Sequence, residues 1–128
     1  MPHCFVHGDI IDTNVIRSEG GKLYVLDFSV SNVYPRIQEL AVMLCDILFN
    51  SDKDKFNEIY IRTLRTYQNT TNLEEVEVNA LPLYVQAAHA MHIIGSVKSA
   101  VKEGDSEEND HWMKVGREGL KFTLEFWQ

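Results

Sequence analysis

His7, Asp9, Asn14 and Asp27 are the residues whose types and spacing could do chemistry in this chain. They stand in the run His7-Gly8-Asp9-Ile10-Ile11-Asp12-Thr13-Asn14 and, a short interval later, in Leu26-Asp27-Phe28. Asp9 is the candidate base. A carboxylate within hydrogen-bond reach can take the proton from a hydroxyl that attacks phosphorus. Asn14 offers a neutral carbonyl oxygen to a hard cation, and Asp27 offers charged oxygens. Mg²⁺ takes oxygen ligands and keeps several waters, so two protein ligands plus phosphate oxygens suffice. The cation then neutralises charge on the phosphates as a bond breaks. His7 is expected to brace the loop through a hydrogen bond to backbone near Asp27, and Gly8 to allow a tight bend. A lone His-Gly-Asp is usually a turn, and a lone Asp-Phe carries no information. The conjunction carries the reading, because it is the layout of a phosphoryl-transfer loop.

Those groups need elements to bring them together. Residues 3–6 read as a strand leading into the loop at 7–14. Val15-Ile16 and Leu23-Tyr24-Val25-Leu26 are β-rich runs either side of Gly20-Gly21, a pair suited to positive φ. The spacing predicts a hairpin that returns Asp27 to the neighbourhood of Asn14. Pro35 suits a first helical turn. Ile37, Leu40, Ala41, Leu44, Cys45 and Leu48 then share one face of a helix ending near Asn50. A second helix is expected over 54–69, with Phe56, Ile59, Tyr60, Thr63, Leu64 and Tyr67 inward. Asn72 and Glu75 have capping-box spacing. Pro82 is expected to break or kink the chain at the start of the next helix. That long apolar helix, over about 83–102, carries Ala87, Ala88, Met91, Ile94 and Val97 as its core stripe. A final amphipathic helix covers about 107–126. The expected fold is α+β and mainly helical, a small catalytic-loop β-hairpin unit followed by four or five helices, in one domain over residues 1–128.

The bulk numbers exclude some classes. A net charge of −7 and a pI near 5.1 argue against a nucleic-acid surface, which needs a basic stripe. No apolar run is long enough to span a membrane, so no membrane association is expected. Cys4 and Cys45 lie far apart and suggest no disulfide framework, which points to a reducing cytoplasm. The chemistry begins within seven residues of Met1, which leaves no room for a signal peptide.

At residues 3–48 the motifs resemble the aminoglycoside phosphotransferase and choline kinase-like superfamily, relatives of protein kinases. His-Gly-Asp-x-x-x-x-Asn is similar to that family's catalytic loop. The resemblance implies Asp9 as the catalytic Asp, with Asn14 and Asp27 holding Mg²⁺. Asp27-Phe28-Ser29 stands where a third-position Gly is usual, and Glu39-Leu40-Ala41 looks like the family's acidic-Leu-Ala segment, where Asp is common. It also implies ATP-dependent phosphoryl transfer to a hydroxyl of a small molecule such as an amino sugar or amino alcohol. The fold implied is the C-terminal lobe of a kinase-like protein. The family's N-terminal lobe supplies a phosphate-covering loop and a Lys-bearing strand upstream of the catalytic loop. Only six residues precede His7, so that lobe is expected to be absent, turnover by this truncated chain to be weak or nil, and the face it leaves to favour self-association. The alternative is a non-catalytic helical remnant, or a binding or oligomerisation module derived from a kinase. A metal-dependent hydrolase is a weaker reading, since hydrolases usually supply more His and Asp ligands.

Other residues have plainer readings. His89 and His92, three apart on a helix, are expected to be a packed or pocket-lining pair rather than metal ligands. In the resembling family, helices of this region line the acceptor site, which leaves a role there open for His89, Tyr84 and Gln86. The acidic run from Glu103 to Asp110 reads as a solvated loop, and Trp112, Phe122, Phe126 and Trp127 as packing.

Overall fold

A computed structural model describes residues 1–128. Four short strands come first: β1 (His3–Val6), β2 (Val15–Arg17), β3 (Leu23–Val25) and β4 (Asn32–Pro35). Four helices follow: α1 (Ile37–Asn50), α2 (Phe56–Gln68), α3 (Glu75–Glu103) and α4 (Glu107–Phe126). The result is a mainly helical α+β arrangement. The chain divides into two compact units, Met1–Leu81 and Pro82–Gln128. No helix is long and apolar enough to cross a membrane.

The first unit holds two antiparallel strand pairs. β2 pairs with β3, with Val15 opposite Val25 and Arg17 opposite Leu23. This is the hairpin expected from Gly20-Gly21. β1 pairs with β4, with His3 opposite Pro35 and Val6 opposite Asn32. That second pair was not expected. Pro35 ends a strand instead of opening a helix, and α1 begins two residues later. A proline lacks an N–H, so the last position of an edge strand suits it as well as a helix start does. The Arg36 N–H, one residue on, bonds the Pro2 carbonyl at 3.0 Å and continues the pairing.

α1 buries Ile37, Leu40, Ala41, Leu44, Cys45 and Leu48, the face its 3.6-residue period predicts. The α2 face of Phe56, Ile59, Tyr60, Thr63, Leu64 and Tyr67 is likewise turned inward, with Phe56 fully buried. The α3 entry differs from expectation. It opens at Glu75, and the Glu77 carboxylate reaches back to the Glu74 N–H at 2.8 Å. This is half of a capping box, two residues beyond the Asn72–Glu75 pair. The same carboxylate, fully buried, takes two 2.7 Å bonds from the Arg36 guanidinium. Pro82 does not break the helix, which runs through it. Proline removes one backbone hydrogen bond, and the turns on both sides of it hold the helix together.

In the second unit the core stripe read from sequence is overturned. Met91 is 62% exposed and Ile94 58%, and Ala87 and Val97 also face solvent. On α3 the buried positions of this unit are Val85, His89 and Ser96, with Ala88 of the expected stripe half-buried. α3 is apolar around most of its circumference here, so periodicity could not choose a face. Gly116 and Gly119 of α4 make the choice: a Cβ on Gly119 would overlap the His89 ring, and one on Gly116 would lie 2.7 Å from the His89 carbonyl oxygen. Only glycines admit that approach. The Ser106 hydroxyl caps α4 by accepting from the Asn109 N–H at 3.1 Å. The acidic run Glu103–Asp110 is solvated apart from half-buried Asn109, but only residues 104–106 form a loop: Glu103 ends α3 and Glu107 opens α4, because the Ser106 cap starts that helix inside the run.

Candidate active site

The loop between β1 and β2 begins with a buried histidine. His7 Nε2 lies 2.7 Å from the Leu26 carbonyl oxygen, which can only accept. His7 Nδ1 accepts from the Asp9 N–H at 3.2 Å. Together these partners select the neutral tautomer with its proton on Nε2. One ring therefore ties the backbone at Asp9 to the backbone beside Asp27, the brace expected from sequence. Phe28 packs edge-on against the same ring, with centroids 4.6 Å apart, and the Ser31 hydroxyl bonds the His7 carbonyl at 3.0 Å.

Gly8 turns the chain with φ of +83°, where a Cβ would meet the Val30 carbonyl oxygen at 3.3 Å. An L-residue is both strained and crowded there. The turn presents Asp9. Asn14 fixes it through its side-chain amide, donating to the Asp9 carboxylate Oδ2 at 2.8 Å and to the Asp9 carbonyl at 2.9 Å. This leaves Asp9 Oδ1 and the Asn14 amide oxygen for other partners. The backbone closes the same circuit, because Leu26 N–H donates to the Asn14 carbonyl at 2.9 Å.

Asp27 comes directly after, with φ of +58°. It is the one non-glycine residue at positive φ, a conformation Asp tolerates better than most. Its carboxylate accepts from the Ser29 N–H at 3.1 Å. Hydrogen bonds from the Ser29 side chain and backbone hold this carboxyl below the usual carboxylate range. Ser29, standing where the resemblance leads one to expect glycine, adds the side-chain hydrogen bond to that effect.

His7, Asp9, Asn14 and the backbone of Leu26, the residue before Asp27, are thus joined in one hydrogen-bonded circuit. No three His, Cys, Asp or Glu side chains gather as a metal cluster. Asn14 and Asp27 each offer oxygen atoms, an amide carbonyl and a carboxylate, the hard donor type that Mg²⁺ takes. His89 and His92 lie with ring centroids 6.4 Å apart in the second unit and form no such cluster. Gln86 there donates to the Thr123 carbonyl at 3.3 Å.

Two contacts were not read from sequence. The Glu39 carboxylate, in the first turn of α1, accepts from the backbone N–H groups of His7 and Gly8. Asp46, two turns further on, accepts from the Asp12 N–H at 3.1 Å. The spacing of two acids on the polar side of α1 was the available signal, but nothing local says that their partners lie more than 30 residues upstream.

A family model for the phosphotransferase enzyme family matches residues 1–76, which contain this whole circuit. Neither a curated protein nor a solved structure matches the chain. The match covers more than half of the sequence, and the chain belongs to the phosphotransferase enzyme family.

Proposed function

We propose that residues 1–128 form the catalytic lobe of an ATP-dependent phosphotransferase acting on a hydroxyl of a small molecule such as an amino sugar or amino alcohol. Asp9 is the base. Its free Oδ1 accepts the hydroxyl proton while the hydroxyl oxygen bonds to the γ-phosphorus and the bond to the departing ADP oxygen breaks. Asn14 and Asp27 hold Mg²⁺, which offsets negative charge on the phosphate oxygens. His7 keeps the two segments in register. The observation that supports this reading is the Asn14 amide, which orients the Asp9 carboxylate and leaves its own oxygen for the cation.

The strands and the segment after β3 leave Phe5, Leu23, Phe28 and Val33 exposed. A nucleotide laid against them has one wall and remains in water, where electrostatic stabilisation is weak. Residues 1–128 alone should therefore bind Mg-ATP poorly and turn over little. The same apolar face should drive self-association. A non-catalytic binding or oligomerisation module derived from a kinase is the second reading, and that exposed face favours it.

Mn²⁺, a paramagnetic stand-in for Mg²⁺, tests the site directly. Amide resonances of Asn14 and Asp27 should broaden first, and Asp27→Ala should abolish the effect. Any phosphorylation of a hydroxyl panel should fall by about 10²–10⁴ in Asp9→Asn. Broadening centred elsewhere would overturn the metal assignment. Wild-type turnover retained by Asp9→Asn would overturn the base. Molar mass measured alongside should exceed that of a monomer; a clean monomer counts against self-association.

A further inference from the structure

His7 touches the stretch from Leu26 to Ser31 through its ring and its backbone. Its Nε2 bonds the Leu26 carbonyl at 2.7 Å, Phe28 packs edge-on against the ring, and the Ser31 hydroxyl donates to the His7 carbonyl at 3.0 Å. The Ser31 N–H also donates to the Phe28 carbonyl at 3.1 Å, which folds the stretch into a turn. These contacts hold the backbone on both sides of Asp27. They leave its exposed carboxylate free to rotate about χ1. Ser29 removes that freedom. Its N–H donates to Asp27 Oδ1 at 3.1 Å, and its hydroxyl bonds the same carboxylate. Water can satisfy an exposed carboxylate, so these bonds compensate no burial. Their effect is directional: they select one rotamer on a residue already set at φ of +58°. A glycine at position 29 would offer the N–H, no hydroxyl and a looser backbone.

We propose that Ser29 and Ser31 are positioning residues for the segment that carries Asp27: Ser31 ties its far end to His7, and Ser29 sets the direction of the Asp27 carboxylate before any cation arrives. The purpose assigned to them rests on the phosphotransferase reading, while the fixed rotamer does not. A cation that meets a preset carboxylate loses no affinity to ordering it. Position 29 is also where this chain departs from the glycine usual in the resembling family, so the hydroxyl bond belongs to this sequence and not to the motif.

Side-chain couplings and Mn²⁺ titration on the intact chain test the pair. Without metal, the Hα–Hβ couplings of Asp27 should report one χ1 rotamer in wild type and an average in Ser29→Ala. With Mn²⁺, the concentration that half-broadens the Asp27 amide should rise about three- to tenfold in Ser29→Ala, the range spanned by one hydrogen bond. Ser29→Thr keeps a hydroxyl and should restore both readouts, whereas Ser29→Gly should resemble the alanine variant. Ser29 is exposed, so these substitutions should leave the urea midpoint unchanged, and a purely structural role would move that midpoint instead. Ser31→Ala should speed amide exchange at position 31 several-fold; an unchanged rate removes Ser31 from the pair. A single Asp27 rotamer with an unchanged Mn²⁺ response in Ser29→Ala overturns the proposal, as does a threonine variant that behaves like alanine. Wild type that binds no Mn²⁺ while the rotamer responds as described leaves Ser29 as the residue that orients Asp27 and overturns the phosphotransferase reading.

Discussion

Acidification should weaken the second unit through one side chain. His89 is 1% exposed and neither ring nitrogen has a hydrogen-bond partner. Burial, with a smaller contribution from His92, lowers its pKa from 6.5 to about 4. The unfolded chain therefore binds a proton at 6.5 that the folded chain refuses until about 4. The contribution of neutral His89 is fully present above pH 6.5 and is lost as pH falls from there towards 4. Each pH unit in that window costs about 1.4 kcal/mol. By pH 5 the loss is about 2 kcal/mol, and by pH 4 about 3 kcal/mol. Trp112 lies in α4, and Trp127 caps its end. Urea unfolding followed by tryptophan fluorescence from pH 8 to 4 thus reports on this unit. His89→Leu keeps an apolar side chain and cannot titrate, so the difference between the two proteins isolates this histidine from the carboxylates. Wild type should lose about 2 kcal/mol relative to His89→Leu by pH 5. Parallel curves would falsify the argument that the buried ring is held neutral.

The same packing predicts that Gly119→Ala, whose new Cβ would meet the His89 ring, costs about 1–3 kcal/mol as overpacking. The cost should shrink when His89→Ala is added, and simple additivity in the double mutant would count against that contact. Gly8→Ala should cost about 1–2 kcal/mol for its left-handed backbone and should disturb the Asp9 and Asn14 amide resonances; unchanged spectra would contradict the turn geometry. The Arg36 guanidinium holds the Glu77 carboxyl below its ordinary 4.5. Its contribution is therefore present above pH 4.5 and lost as pH falls below that value. The stability advantage of wild type over Glu77→Gln should narrow between pH 5 and 3, and a constant gap across that range would refute the pairing.

The two kinds of information divide along the length of their interactions. The α1 and α2 faces were legible because polar and apolar residues alternate there with the helical period, so burial has one solution. His7, Asp9 and Asn14 were legible as a set because most of their bonds close within a few residues. The inner face of α3 was not, because apolar residues surround the helix and the choice passed to two glycines on α4. The pairing of β1 with β4 was missed because it joins residues about 30 apart through backbone groups that every sequence possesses. The grip of α1 on the loop escaped for the same reason: a carboxylate's identity says that it can accept, and tertiary structure alone decides which distant N–H it meets. The sequence by itself determined which chemical groups are present and the local turn that presents them. The tertiary structure decided which helix holds that turn and which side of α3 is covered, because both depend on contacts between segments far apart in the chain.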